Sequence, residues 1–318
     1  MRKKITIAGA GQTGATLAHW LAERGNVDIV LFDIVEGMPQ GKALDLLEAM
    51  PVIGSDAHIA GTNGWEETAE SDIVVITSGL PRKPGMSRDD LLKVNAGIVR
   101  DVTRAAVERS PNAILMLLTN PLDAMCHIAL HESRFPPERV FGQAGILDTA
   151  RFRAFLAMEL KVSVTDVNAY VLGGHGDDMV PLVDSTNVGG IPIRNRIAPE
   201  RLEAILERTR KGGGEIVSLL KTGSAFYAPS AALAQMIDAV LNDRKRILPC
   251  AVYTGNDGGG YGVRELYLGL PAKLGAGGVE EIVSVPLTAE EKAALHRSAD
   301  SVRELVNALR GFDPPMLP

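Results

Sequence analysis

The chain has 318 residues, 46% of them apolar and 23% charged, a balance that excludes a mainly disordered protein. A net charge of -6 without a dense Lys/Arg block argues against a nucleic-acid partner. The longest apolar run, 113–118, is far shorter than the roughly 20 residues of a membrane helix. A strand-like run from Ile5 leaves no room for a signal peptide, and Cys126 and Cys250 are interpreted as free buried thiols. We therefore expect a cytoplasmic protein without membrane or nucleic-acid partners.

The first half alternates short apolar runs with helical patterns. Because the runs are continuously apolar, they indicate strands that are buried on both faces of a parallel sheet. This alternation predicts a doubly wound (Rossmann) α/β domain. The predicted strands are 4–8, 28–32, 72–78 and 112–119. A helix predicted over 87–109 is expected to face the core with Leu91, Val94, Ile98, Val102 and Ala105.

The second half is predicted to be an α+β substrate-binding and catalytic domain. Thr288 and Glu291 form a capping-box pattern that opens its last helix. We place the domain boundary so that residues 1–144 form the first domain and 145–318 the second. The other predicted elements of this half are helices over 198–210 and 230–242 and short strands near 167–172 and 266–270.

A glycine turn with the spacing of a dinucleotide site follows the first strand. Its residues are Gly9, Ala10, Gly11, Gln12, Thr13 and Gly14. The turn precedes a helix, and the next strand ends at Asp33, a context that makes the motif specific. Gly11 lets the backbone approach a pyrophosphate at the helix N-terminus, and Gly14 allows close helix–strand packing. Asp33 would accept hydrogen bonds from ribose hydroxyls and repel a 2′-phosphate, which predicts NAD rather than NADP.

A histidine flanked by glycines is the best candidate for proton transfer. His175 lies in the segment Gly-Gly-His-Gly-Asp, where a strand is predicted to end beside a cleft. Asp148 and Arg151 are three residues apart at the start of a helix, so both can point to one side. An ionised Asp148 would stabilise the protonated form of His175. The alternative is a surface network of ion pairs.

Two further segments follow predicted strands at the ligand edge of the sheet. The segment 79–88 contains prolines and glycines and carries Arg82 and Arg88, which suits a lid that binds an anionic substrate. Asn120 precedes a proline that ends the fourth strand, so its amide is free to bind cofactor or substrate. The alternatives are a solvated basic loop and a turn-forming Asn-Pro pair.

Taken in chain order, these motifs resemble the lactate/malate dehydrogenase family. Segments 38–45 and 223–229 bring the chain nearest to its bacterial malate dehydrogenases that are lactate-dehydrogenase-like in sequence. The resemblance implies reversible hydride transfer between (S)-malate and NAD, giving oxaloacetate and NADH, as in the tricarboxylic acid cycle. It also implies a homodimer or homotetramer and no bound metal.

The resemblance implies a role for each candidate residue. His175 would be the proton acceptor, with Asp148 orienting it. Arg151 would hold the C1 carboxylate, Arg82 the second carboxylate, and Arg88 would polarise the carbonyl oxygen. Asn120 would contact both substrate and cofactor. The other cofactor contacts would be the turn residues Gly9, Ala10, Gly11, Gln12, Thr13 and Gly14, together with Asp33, Asn95, Leu118 and Thr119.

Three other functions remain open at this point. A lactate dehydrogenase is the nearest, although lactate-specific relatives usually have a neutral residue at the position of Arg82. A catalytically inactive NAD-binding sensor would have no chemical need for His175, Asp148 and Arg151. A metal- and NAD-dependent glycosidase would need clustered ligands that the sequence does not show. The glycine-rich segment 256–262 departs from the family pattern, and we expect a mobile outer loop there.

Overall fold

The computed structural model describes residues 2–81 and 87–318. The strands are β1 (Lys3–Ala8), β2 (Val27–Phe32), β3 (His58–Thr62), β4 (Ile73–Ile76), β5 (Ile114–Leu117), β6 (Val140–Gln143), β7 (Val167–Asn168), β8 (Val171–Leu172), β9 (Val180–Pro181), β10 (Asn187–Val188), β11 (Ile191–Pro192), β12 (Arg246–Tyr253), β13 (Tyr267–Gly275) and β14 (Gly278–Ile282). The helices are α1 (Gln12–Arg24), α2 (Met38–Ile53), α3 (Arg88–Arg109), α4 (Leu122–Ser133), α5 (Gly145–Leu160), α6 (Pro199–Leu220), α7 (Tyr227–Leu241) and α8 (Ala289–Gly311). None of the helices in these two ranges is long and apolar enough to cross a membrane.

Six parallel strands form the core of the first half, in the order β6-β5-β4-β1-β2-β3. At the centre of this sheet, Ile7 pairs with Leu31 on one side and Val75 on the other. All residues of β4 and β5 are buried, as their unbroken hydrophobicity predicts. The strand order reverses between β1 and β4, which creates the crevice where ligands bind in such sheets. The predicted doubly wound fold is confirmed.

The same sheet continues into the second half of the chain. β12 pairs antiparallel with β6, so that Cys250 lies opposite Gln143, and β13 and β14 follow. The predicted domain boundary after residue 144 thus separates β6 from β12, although these strands pair in one sheet. The boundary stays a prediction. The single strand predicted over 167–172 is wrong, because β7 and β8 belong to different small sheets.

Helix α3 faces the core with a different set of residues from the predicted one. Its buried positions are Leu92, Asn95, Ala96, Val99, Thr103 and Ala106. Most of these buried positions lie one residue further along the helix than the predicted ones. Val94, one of the predicted residues, is 39% exposed. Of the predicted residues, Val102 still packs against the core although it is only partly buried. Hydrophobicity alone could not tell these two neighbouring faces apart.

Helix α6 is longer than predicted. We expected it to end at Arg210, but it continues through Gly212, Gly213 and Gly214 to Leu220. Each interior glycine costs a helix about 1 kcal/mol relative to alanine. Close packing explains Gly212, since a Cβ there would lie 2.9 Å from Cδ of Arg151.

The segment 256–262 is anchored by hydrogen bonds. Gly258–Gly260 form a short 3-10 turn, and the Asp257 side chain accepts a hydrogen bond from the Gly259 N–H. Tyr261 is 3% exposed, and its hydroxyl donates to the Val283 carbonyl at 2.8 Å. The aromatic residue within the glycine run thus supplies contacts that the glycines alone do not indicate, and the mobility of this loop stays a prediction.

His127 is a histidine that the fold keeps neutral. Its Nε2 accepts a hydrogen bond from the Tyr267 N–H at 3.1 Å, and the imidazole packs edge-on against Tyr253 and Tyr267. Burial, with a smaller contribution from the charge of Arg310, lowers the pKa of His127 from 6.5 to about 4. Protonation would remove the acceptor and place a charge among aromatic rings.

We expect His127 to make the protein sensitive to acid. Its pKa is lower in the folded state, so its contribution to stability is complete above pH 6.5 and is lost as the pH falls towards 4. The loss over this window is about 3 kcal/mol. Urea unfolding at several pH values should show a weaker pH dependence for His127→Gln than for the unsubstituted protein. The exposed His19→Gln serves as the control, and equal pH dependence in all three proteins would contradict the prediction.

Candidate active site

The turn after β1 is shaped by two glycines that cannot carry a side chain. Gly9 has φ +114°, and the Thr77 hydroxyl donates to its carbonyl oxygen at 2.9 Å. A Cβ on Gly14 would lie 1.9 Å from that same oxygen, so α1 packs directly on the turn. Around Gly11 there is open space, since a Cβ there would meet no described atom within 4 Å outside its chain neighbourhood. The turn thus leaves room at the helix N-terminus for a ligand group.

Two charged side chains hold this turn from the β2 side. Asp33 accepts hydrogen bonds from the N–H groups of Ala10, at 2.8 Å, and Val35, at 3.0 Å. Lys42 donates from Nζ to the Ala10 carbonyl at 2.7 Å. Asp33 therefore lies beside the turn, as the motif predicts, and also supports its conformation. Lys42 lies in segment 38–45, but the sequence did not identify it as a site residue.

Asn95 ties together two segments that approach the crevice. Its Oδ1 accepts from the Leu80 N–H, while its Nδ2 donates to the carbonyl oxygens of Leu80 and Asn120. Thr119 similarly donates its hydroxyl to the Ser78 carbonyl at 2.7 Å. Asn95 and Thr119 are 1% and 4% exposed, so they act on the site through the backbone they hold.

His175, Asp148 and Arg151 form one connected cluster. Asp148 lies in the first turn of α5, is 1% exposed, and accepts from Nη1 of Arg151 at 2.9 Å. Its other oxygen is 2.9 Å from Nδ1 of His175. Beside an ionised carboxylate Nδ1 carries the proton, which leaves Nε2 as the ring nitrogen available to a ligand. This buried arrangement excludes the alternative of a surface ion-pair network.

The surroundings of His175 favour its protonated form. Burial alone would lower the pKa of His175, but the charge and hydrogen bond of Asp148 and the charge of Asp123 outweigh it, so the pKa is raised. Asp123 had not been identified from the sequence. It is 4% exposed in the first turn of α4, and its Oδ2 accepts the main-chain N–H of His175 at 2.9 Å.

A cavity of about 730 Å³ lies over this cluster. Among the predicted residues it brings together Thr13, Leu118, Asn120, Asp148, Arg151 and His175. Arg88, the first residue of α3, is exposed and lies outside this lining. Arg82 lies outside the described residues, as does the central part of the predicted lid.

Sequence reasoning missed the wall of the cavity that α6 and β6 contribute. Arg210, Lys211, Gly213 and Gly214 line it from α6, and Gln143 lines it from the end of β6. Three consecutive glycines inside a helical pattern were the available signal for close approach to α6. Over residues 2–81 and 87–318 there is no cluster of three or more His, Cys, Asp and Glu side chains that could hold a metal.

Comparisons with known proteins agree with these motifs. The model of the lactate/malate dehydrogenase NAD binding domain matches residues 3–142, and that of the lactate/malate dehydrogenase α/β C-terminal domain matches residues 146–312. The chain belongs to the lactate/malate dehydrogenase family.

Similar proteins of the family cover almost the whole chain. The malate dehydrogenase of Thermomicrobium roseum is 62% identical over 98% of this chain and 99% of its own. The crystal structure of Cryptosporidium parvum malate dehydrogenase matches with a TM-score of 0.94 at 46% identity, over 98% of this chain and 100% of that one. The lactate dehydrogenase of the same organism, solved with lactic acid and β-nicotinamide adenine dinucleotide, has a TM-score of 0.94 at 39% identity, over 98% and 99% of the two chains.

The residues present fit the cofactor that the family's N-terminal domain binds. The glycine turn is open at Gly11, where the free N–H groups of a helix N-terminus favour an anionic pyrophosphate. Asp33 supplies a carboxylate beside the turn, which suits ribose hydroxyls and disfavours a 2′-phosphate. NAD is therefore the cofactor that this site accommodates.

Gly11 and Gly14 of the turn should respond differently to substitution by alanine. We expect Gly14→Ala to lower the melting temperature and NAD affinity together, because its Cβ would overlap the Gly9 carbonyl. Gly11→Ala is the matched control, with an unchanged melting temperature and weaker NAD binding because only the pyrophosphate space is filled. Thermal unfolding and calorimetric titration with NAD separate the two effects. Equal melting temperatures for both variants would contradict the packing role of Gly14.

Proposed function

We propose that this protein is an NAD-dependent malate dehydrogenase that interconverts (S)-malate and oxaloacetate. The observation that carries the proposal is the buried Asp148 carboxylate, which bonds both His175 and Arg151 at the floor of one cavity. This arrangement places a proton-exchanging group next to a group that binds a carboxylate. Relatives of 54–62% identity named malate dehydrogenase support the same assignment.

His175 and Asp148 act as the proton relay in this proposal. Nε2 of His175 takes the proton of the substrate hydroxyl during malate oxidation and returns it during oxaloacetate reduction. Asp148 fixes the ring through Nδ1 and stabilises the imidazolium, although it stays ionised itself. Such acid–base assistance is worth about 10²–10⁴-fold in rate. When bound, NAD would accept the hydride that leaves C2 of malate.

Arg151 is proposed to hold the C1 carboxylate next to His175. Its guanidinium is 14% exposed and donates one hydrogen bond to Asp148, so it is oriented before a ligand arrives. Its Nε is buried and has no hydrogen-bond partner among the described residues. An arginine fork held in this way binds a carboxylate through two parallel bonds. Asn120, which lines the same cavity, is proposed to contact both the substrate and the cofactor.

Substrate choice in the proposal depends on Arg82 and Arg88. A dicarboxylate needs a second cation, and Arg82 supplies it on the segment that precedes α3. Arg88 is proposed to polarise the carbonyl oxygen of oxaloacetate. Lactate dehydrogenase remains the alternative, since a lactate dehydrogenase is also among the similar structures.

The substrate assignment is tested by competing keto acids. We expect a higher kcat/KM for oxaloacetate than for pyruvate with NADH, and weaker use of NADPH because of Asp33. Losing one partner of a buried charge pair costs about 2–5 kcal/mol, so Arg82→Gln should lower the oxaloacetate preference about a hundredfold. Steady-state rates with both keto acids and both cofactors measure this. A preference for pyruvate would overturn the proposal, and an unchanged ratio would remove Arg82 from it.

His175→Ala separates an enzyme from an NAD-binding sensor. A sensor would bind NAD without turnover, and the substitution would then change nothing in the assay. A large loss of turnover with retained NAD affinity supports catalysis.

Gly212 is expected to preserve the position of Arg151. A Cβ at Gly212 would lie 2.9 Å from Cδ and 3.3 Å from Nε of Arg151, so Gly212→Ala should displace the guanidinium. We expect KM for oxaloacetate to rise about tenfold, the effect of about 1.4 kcal/mol. Gly41→Ala on α2 is the control, since Gly41 does not line the cavity and its Cβ would meet no described atom within 4 Å outside its own helix. Equal KM values in the two variants would contradict the prediction.

The homodimer or homotetramer and the division at residue 144 are also proposals. Exposed apolar residues on helices support association between copies, among them Val94 on α3 and Leu44 and Val52 on α2, which are 39%, 56% and 85% exposed. The separate family matches to residues 3–142 and 146–312 support the division. The mass in solution distinguishes a dimer from a tetramer.

A further inference from the structure

A second buried carboxylate contacts His175 through its main chain. Asp123 follows Asn120 by three residues and lies in the first turn of α4. Its Oδ2 accepts the main-chain N–H of His175 at 2.9 Å, over 52 residues of sequence. Its Oδ1 is also buried and has no hydrogen-bond partner within the described ranges. A fold does not need a carboxylate to hold one peptide N–H, since a neutral oxygen would do the same at a lower cost of burial.

The environment of Asp123 contains few groups that could share its charge. Burial, with a smaller contribution from the charge of Asp148, raises the pKa of Asp123 to about 6 against the opposing effects of the His175 N–H and the His175 charge. Cys126 is one turn along α4, and the Asp123 charge adds to the burial that raises the pKa of its thiol. From α8, the neutral Ser298 hydroxyl accepts the N–H of Gly174 beside it. Among the described residues, the cations whose charge acts on the pair are His175 itself and Arg151, which is already bonded to Asp148.

We propose that Asp123 is a positioning residue for His175, with two effects that can be separated. Its carboxylate holds the His175 main chain, and its negative charge, added to that of Asp148, favours the protonated imidazole. Asp148 fixes the ring and Asp123 fixes the backbone that carries it. The inference rests on the proposed dehydrogenase chemistry, because it assigns Asp123 to the group that exchanges the proton.

The chain position of Asp123 gives this contact a further consequence. Asn120 follows β5 and Asp123 lies in the first turn of α4, on one continuous segment, and Asn95 holds the Asn120 carbonyl. Only two residues separate the residue proposed to contact substrate from the one that holds His175. Asp123 therefore couples the position of His175 to that of Asn120, which lines the same cavity.

Two substitutions separate the positional effect from the charge effect. Asp123→Asn keeps an oxygen that accepts the His175 N–H but removes the charge. Asp123→Ala removes both. Asp178→Asn is the matched control, because it removes an exposed carboxylate from the segment that carries His175. The Asp178 carboxylate accepts a hydrogen bond from the Ser301 hydroxyl.

The first measurement does not depend on enzyme activity. Nuclear magnetic resonance titration of the imidazole groups, with the His175 signal assigned from a His175→Gln sample, reports the His175 pKa directly. We expect Asp123→Asn to lower it by roughly one unit, the usual effect of one nearby charge, and Asp178→Asn to leave it unchanged. An equal His175 pKa in Asp123→Asn and the unsubstituted protein would overturn the charge effect.

The second measurement uses oxaloacetate reduction with NADH across pH. Reduction needs protonated His175, so activity falls as the pH rises through its pKa. Asp123→Asn should keep the maximal kcat and show this fall at lower pH, while Asp123→Ala should lose about tenfold or more in kcat with a smaller change in KM. Equal maximal kcat in Asp123→Ala and the unsubstituted enzyme would overturn the positional effect. If Asp123→Ala does not fold, failure of Asp123→Asn to retain kcat overturns it.

These outcomes are distinguishable from failure of the proposed function. A protein that does not reduce oxaloacetate fails as a malate dehydrogenase in every variant, including the unsubstituted one. The titration of His175 still decides whether the Asp123 charge acts on it.

Discussion

The site is built around one buried carboxylate. Asp148 is 1% exposed and divides its two oxygens between Arg151 and His175. Pairing both oxygens offsets the cost of burying this charge, so the positions of the arginine and the histidine are fixed together. Removing either partner would leave the other in an altered field. The geometry of proton exchange and that of carboxylate binding are therefore set by the same side chain.

The main-chain supports extend this arrangement across the whole molecule. Asp148 comes from α5, His175 from the segment after β8, and Asp123 from α4. Asn95 on α3 holds the backbone of Asn120, which lines the same cavity. The supports from Asp123 and Asn95 are hydrogen bonds between a buried polar side chain and the backbone, and these bonds are strong where water is absent. Within the described residues, the cavity is thus lined by the start of α5, the end of β6, the segment after β8 and the later turns of α6.

Much of the first half could be predicted from sequence, because its signals are local. Continuous apolar runs mark buried parallel strands, and the glycine turn needs Gly9 and Gly14 for reasons of space that sequence context reveals. The connection between Asp148 and His175 was also predictable, since the glycine-flanked histidine follows a strand and Asp148 and Arg151 can point to one side of a helix start. Their hydrogen bond confirms the expected pairing.

The misses depend on tertiary packing. The buried face of α3 lies one residue away from the apolar stripe, and it includes the polar residues Asn95 and Thr103, which an apolar stripe cannot indicate. Helix α6 continues through glycines that propensity would treat as a stop, since they make room for Arg151. Asp123 carries no motif of its own, and only the fold brings it to the His175 backbone. Such contacts join residues far apart in sequence, so no local pattern records them.

The pairing of β12 with β6 has a consequence for how related chains could be recombined. Cys250 lies opposite Gln143 and Ala251 opposite Gly142, which joins the last strands of the chain to the edge of the parallel sheet. Gln143 also lines the cavity, one residue from the place where a chimera of two relatives would naturally be joined. Such a chimera would take the two sides of this strand pair from different parents. A chimera that keeps this pairing would need to take β6 and β12 from the same parent. The unit that can be exchanged is therefore the strand pair and not one half of the chain.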